Sequence, residues 1–251
     1  CHGTRPDGMN YTELVAAIQS YTENQFPDTY LADGSSVSST EQIDTFIKQA
    51  EQRIYNSVQF PSLRKNVTGA TGGYNPVTAP RAMYLNCPAD FLAVYSFAVI
   101  LPDGTYEYML NKDVNFIRQA YPSPGDTGVP RYYALFGPTV SGATISDELS
   151  FILGPTPDTS YAVELHYYYY PTSITDTQNN PGGRTWLGDN FDSVLLYGSL
   201  VEAYTFMKGE ADMVALYNNK YNEALSLAKR LGDGMERQDA YRSGQYRQPV
   251  T

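Results

Sequence analysis

The sequence predicts an α+β fold: N- and C-terminal helix pairs forming a helical bundle, a β-rich domain inserted between them, and an extended C-terminal tail. Three observations carry this prediction. Apolar residues recur at helical spacing near both ends but, apart from 113–121, not in the long middle. Gly, Pro, Thr and Tyr crowd that middle, from about residue 62 to 187. Each terminal helix pair is amphipathic, and the economical way to cover four apolar faces is to pack them together. The expected divisions are 1–8 (a leader or artefact ahead of Met9), 9–60 with 189–232 (the bundle), 61–188 (the insertion) and 233–251 (the tail).

The elements follow in order. Asn10 is placed to cap a helix, with Glu13 completing a capping box, and Leu14, Ile18 and Tyr21 continue at helical spacing until Pro27. Ser39 with Gln42 predicts a second box. Ile43, Phe46, Ile47, Ala50, Ile54 and Val58 then line one face of the cleanest amphipathic helix in the chain, which stops before Pro61. Leu101-Pro102-Asp103-Gly104-Thr105 reads as a hairpin turn. Residues 149–153 and 161–170 read as strands; in the latter, Tyr161, Val163, Leu165, Tyr167 and Tyr169 share one face and Ala162, Glu164, His166, Tyr168 and Tyr170 the other. Large rings on both faces lean toward partner interfaces rather than one core. Asp189 or Asn190 is expected to cap a helix through Phe191, Val194, Leu195, Gly198, Val201 and Tyr204. After a break at Gly209, Met213 to Leu231 form the last helix, and a polar tail begins past Gly232.

Composition narrows the function. The 251 residues carry 17 Lys+Arg against 27 Asp+Glu, a net charge of −10, which argues against a surface that grips nucleic acid. Two Cys and two His leave little scope for disulfide frameworks, zinc sites or imidazole chemistry, while 23 Tyr favour a strand-rich interaction protein. No apolar run is long enough to cross a membrane. Gly69-Ala70-Thr71-Gly72-Gly73 lacks the Lys-Ser/Thr of a phosphate loop and reads as a hairpin tip. Glu164 and His166 share a strand face but have no nucleophile beside them. Asp147 with Glu148, and Asp189 with Asp192, lack the spacing of a calcium loop. Cys87 reads as a small buried hydrophobe. The sequence therefore predicts no enzyme, no metal and no cofactor. Charge is uneven: between Val140 and Phe206 eight acids face only Arg184, whereas the end of the chain carries Lys229, Arg230, Arg237, Arg242 and Arg247 against Asp233, Glu236 and Asp239. An Arg- and Tyr-bearing tail on an acidic body points to docking.

With these elements in place, residues 9–251 resemble the head-to-tail adaptor (tail-tubular, connector-type) proteins of tailed bacteriophages, of the short-tailed type. The likeness lies in organisation: capped helices over 10–26 and 40–59, a β-rich insertion with strands such as 95–101 and 161–170, a second helix pair running through Tyr217, Tyr221 and Leu225, and the Arg-bearing tail. The insertion and tail are long beside the compact helical connectors of long-tailed phages. The resemblance implies a virion neck protein assembled in the host bacterial cytoplasm. It implies a homo-oligomeric ring, typically of twelve copies, that joins the portal protein to the tail nozzle or tube, often seats fibres, and lets DNA pass without specific binding. By position, Arg237, Tyr241, Arg242, Tyr246 and Arg247 become candidate portal contacts. Thr71, Tyr74, Asn179 and Arg184, in the 69–74 and 172–184 loops, become candidate contacts to the nozzle or a neighbouring subunit. A carbohydrate-binding or fibre-type β module of a virion, using tyrosine faces, is the alternative.

Overall fold

A computed structural model describes residues 8–68, 78, 82–123, 125–137, 139–141, 144–147 and 149–242. In chain order the elements are α1 (Tyr11–Thr22), β1 (Thr29–Tyr30), β2 (Ser36–Val37), α2 (Ser39–Ser57), β3 (Arg64–Thr68), β4 (Tyr84–Asn86), β5 (Ala93–Ile100), β6 (Tyr106–Tyr108), β7 (Leu110–Asn111), α3 (Val114–Ala120), β8 (Thr127–Gly128), β9 (Tyr132–Phe136), β10 (Thr139–Ser141), β11 (Thr144–Asp147), β12 (Ser150–Gly154), β13 (Thr156–Pro157), β14 (Ala162–Tyr168), α4 (Trp186–Asn190), α5 (Asp192–Phe206) and α6 (Ala211–Arg242). The fold is α+β, as predicted. The chain divides into a helical unit, Cys1–Ser62 with Pro171–Thr251, and a sheet unit, Leu63–Tyr170.

In the helical unit, the Asn10 box forms as expected: the Asn10 side chain accepts from Glu13 N at 2.9 Å and Glu13 Oε2 accepts from Asn10 N at 2.9 Å. The second box sits one residue earlier than the sequence suggested. Ser38 caps α2 and Glu41 closes the box, with Ser38 N donating to Glu41 Oε2 at 2.8 Å. Ser39 and Gln42 are engaged elsewhere: Ser39 Oγ donates to the Gln25 carbonyl at 2.6 Å, and the buried Gln42 amide donates to the carbonyls of Pro27 and Val37 at 3.0 and 3.3 Å. Serine side chains cap or bridge with equal ease, so neighbouring serines hide the register. Leu14, Ile18, Ile43, Phe46, Ile47, Ala50 and Ile54 are buried.

α5 packs against α1, α2 and α6. Eight of its residues from Val194 to Ala203 are buried, as expected of a helix surrounded by others. Gly198 permits the approach: a Cβ there would lie 3.2 Å from the Ala50 Cβ and 3.2 Å from the Tyr221 ring. Asp189 and Asn190 do not cap this helix. They lie inside α4, which Thr185 caps through Gly188 N at 3.1 Å, and α5 begins with no side-chain cap. The tail expected from residue 233 is also corrected. α6 runs on to Arg242, because the residues from Met235 to Arg242 are mostly good helix formers with no proline among them.

The sheet unit holds two four-stranded sheets, ordered β3-β14-β5-β6 and β4-β12-β9-β7. The first is antiparallel throughout; in the second β7 joins β9 in parallel. The turn after β5 forms where the sequence placed it: Leu101 N donates to Thr105 O at 2.8 Å, with Gly104 at φ +85°. Both sheets contribute to one core containing Val67, Phe97, Val99, Phe151, Leu153, Val163, Leu165 and Tyr167. α3, capped by Asp113, covers a smaller cluster of Ile117, Ala134 and Ile152. Cys87 is half-buried against the main core rather than fully inside it.

Candidate docking surfaces

In the helical unit the segment after residue 171 is tied down from below. Glu51 is 3% exposed on α2, and its Oε1 accepts from Ile174 N at 3.0 Å. Burial raises the Glu51 pKa above its usual 4.5, against the opposing effects of the Ser173 side chain, the Ile174 N–H and Lys48. Farther along, Asn180 donates to the Arg184 carbonyl at 2.6 Å, and Gly183 O accepts from Tyr11 N at 2.8 Å. Arg184 pairs with Asp189 at 2.8 Å, while Asn179 donates to both carboxylate oxygens of Asp176. The structure thus places Asn179 and Arg184 on one ordered loop, each with a partner inside the unit. Asp189, expected from sequence to cap a helix, is the partner of Arg184.

The same unit carries the end of α6. Arg237, Tyr241 and Arg242 fall on its last turns as a continuous helix, with Tyr241 and Arg237 four residues apart. Tyr246 and Arg247 lie outside the described residues, as do Thr71, Tyr74 and Glu148.

In the sheet unit the tyrosine strand divides by register. Val163, Leu165 and Tyr167 point into the core, as does Tyr161 just before the strand. The two core tyrosines of this stretch keep their hydroxyls on carboxylates: Tyr167 donates to Asp90 at 2.8 Å and Tyr161 to Asp158 at 2.6 Å. That bond to Asp158 pushes the Tyr161 pKa up to about 12. Asp90 is partly buried, which raises its pKa, but its bonds from Lys65 and Tyr167 outweigh this and leave it below 3.8. Tyr168 faces outward. The Arg64 guanidinium lies 4.6 Å from the Tyr95 ring and 5.9 Å from the Tyr168 ring, a cation–aromatic cluster that alternation alone could not have located in sequence. The expectation that these rings mark interfaces therefore needs correction for Tyr161 and Tyr167, which fill the core.

Glu164 Oε1 accepts from Thr68 at 3.4 Å, and among the described residues no cluster of three His, Cys, Asp or Glu side chains is placed to hold a metal. An open recess of about 460 Å³ is lined by Asn111, Lys112, Asp113, Val114, Ala134 and Leu135. Its Asp113 is occupied as the α3 cap, and its Lys112 lies 5.3 Å from the Phe116 ring. No helix among the described residues is long and apolar enough to cross a membrane.

A search of curated proteins gives no match. The model of the SU10 adaptor protein family matches residues 9–249, nearly the whole chain, spanning both units. The chain belongs to the SU10 adaptor protein family and is a phage structural adaptor.

Proposed function

We propose that this chain is the head-to-tail adaptor of a short-tailed phage, a ring between the portal and the tail nozzle that extends the DNA channel. The observation that carries the reading is the family match over 9–249. The fold supports it: α6 continues through Arg237, Tyr241 and Arg242, giving an Arg- and Tyr-bearing helical end suited to a cleft between portal subunits. Residues 243–251, with Tyr246 and Arg247, extend that contact. The sheet unit and the ordered loop bearing Asn179 and Arg184 face the nozzle or a neighbouring subunit. The excess of acid over base disfavours adhesion to DNA phosphates, so DNA slides through without specific binding. Ring closure, typically with twelve copies, takes place in the host cytoplasm, and no metal or cofactor takes part. The family match favours this role over a carbohydrate-binding module.

The test is deletion of residues 233–251. Heads assembled with the truncated chain lose the adaptor layer below the portal in negative-stain images, while its circular dichroism keeps the folded signature. Full neck complexes formed with the truncated chain overturn the docking role.

A further inference from the structure

We propose that the β1–β2 hairpin of one copy docks on the Leu227–Leu231 face of α6 in a second copy. This specifies the subunit contact of the ring proposed above and rests on that reading.

The hairpin is a preformed anchor. Tyr30 is 80% exposed, the most exposed large apolar side chain among the described residues, and Leu31 beside it is 48% exposed. Neither is loose. Leu31 N donates to Ser35 O at 2.8 Å, Asp33 Oδ1 accepts from Ser35 N at 3.0 Å, and the Gln42 amide clamps the base of the hairpin through Pro27 and Val37. A tyrosine held this way gives up little freedom on binding, which is what makes an exposed ring an effective anchor.

The hairpin is also acidic. Glu23, Asp28, Asp33 and Glu41 fall between residues 23 and 41, with no Lys or Arg in that stretch. None of the four is in an ion pair among the described residues. The complementary surface is on the same unit. Leu227 and Leu231, one helical turn apart, are 57% and 40% exposed, and Arg230, three positions from Leu227, is exposed and likewise in no ion pair among the described residues, while Glu223 on the same side is paired with Lys220 at 3.6 Å. An apolar pair edged by the cation Arg230 fits an apolar pair edged by anions.

One molecule cannot make this contact with itself. The hairpin is clamped to the first turn of α2, whereas Gly232, next to Leu231, packs on Val58 and Gln59 just past the last turn. The 19 residues of α2 separate the two sites by about 28 Å. Like surfaces gain nothing: hairpin on hairpin gathers carboxylates, and helix face on helix face leaves Arg230 of each copy without an acidic partner. The remaining combination is head to tail, the kind of contact that closes into a ring.

The test uses the full chain and two exposed-site variants, Tyr30→Ala, which disables the hairpin, and Leu227→Glu, which disables the helix face. Sedimentation is followed up to about 1 mM protein, with circular dichroism confirming that each variant is folded. The wild-type chain passes beyond dimers as concentration rises. Each variant alone associates about tenfold more weakly. Mixed in equal amounts, the two form dimers and stop, because each retains the surface the other lacks. Asp33→Lys and Arg230→Glu each weaken association, and the two combined in one chain restore it. A wild-type chain that stays monomeric, a variant that associates like wild type, or a mixture that pairs no better than its parts overturns the contact. If virions still carry a multi-copy layer of the chain beneath the portal, only this contact is wrong; a single copy there removes the ring as well.

Discussion

The two units place their tyrosines differently. In the sheet unit, rings make the core itself: Phe97 and Phe151 have centroids 4.6 Å apart, and Phe91 and Tyr133 pack edge-on against Phe151. In the helical unit the innermost positions are mostly aliphatic, and tyrosines gather at a seam between helices, where Tyr21, Tyr197 and Tyr204 surround Tyr217. Burial and the Tyr204 hydroxyl push the Tyr217 pKa up to about 12, so Tyr217 stays uncharged at neutral pH. The difference teaches that a high tyrosine count does not by itself mark a docking face. Phe26 and Phe60 are fully buried in the helical unit, while its seam tyrosines meet between helices.

The strongest way to break the comparison is to open a cavity in each core. Phe151→Ala is expected to cost the sheet unit about 3–5 kcal/mol, and Ile47→Ala the helical unit about 2–5 kcal/mol, both residues being fully buried. Proteolysis and hydrogen exchange followed segment by segment check whether each loss stays in its own unit. Uniform loosening across all segments in both variants would show that the two units unfold as one.

Next in size is the buried carboxylate. Glu51→Ala leaves the Ile174 N–H without its acceptor and is expected to cost about 1–3 kcal/mol, read by thermal melting. The acid dependence sharpens the contrast between units. The folded pKa of Glu51 is raised above 4.5, so its ionisation lowers stability as pH rises through the window just above that value. The folded pKa of Asp90 is lowered below 3.8, so its contribution is present above that value and lost as pH falls through the folded pKa. Glu51→Gln should flatten the first slope and Asp90→Asn the second. Melting curves between pH 3 and 7 check both, and a profile unchanged by either substitution refutes the assignment.

How much of this was legible depended on whether the signal was local. The α2 stripe, the Asn10 box, the Gly104 turn and the helical spacing over 113–121 all rest on residues within a few positions of one another, and each appears in the structure. The capping of α4 by Thr185 was not legible, because Asp189 and Asn190 are equally good caps in isolation and only the chain path decides. The continuation of α6 past Gly232 was hidden by two glycines, whose low propensity the flanking helix overrides. Glu51 gave no signal at all: its role depends on a loop more than 100 residues away. At the candidate contacts, sequence supplied residue types but not partners, and the pairing of Arg184 with Asp189 emerged only from the fold.

A smaller effect tests the register of the second capping box. Ser38→Ala is expected to cost about 1 kcal/mol, since Ser38 and not Ser39 carries the cap. A larger loss in Ser39→Ala would move the cap back to where the sequence placed it.

The smallest expected effect lies on the outer face of the sheet unit. Arg64 stacks on Tyr95, itself exposed, so much of the attraction is shared with water. A double-mutant cycle of Arg64→Met and Tyr95→Leu should give a coupling of about 0.5–1 kcal/mol in the isolated protein. The cycle is needed because Arg64 also approaches Tyr168, and a single substitution would mix the two contacts. A coupling that vanishes in the isolated chain but appears in the assembled particle would mean that the cluster is organised by a partner, and would turn this face from a self-contained stack into a docking surface.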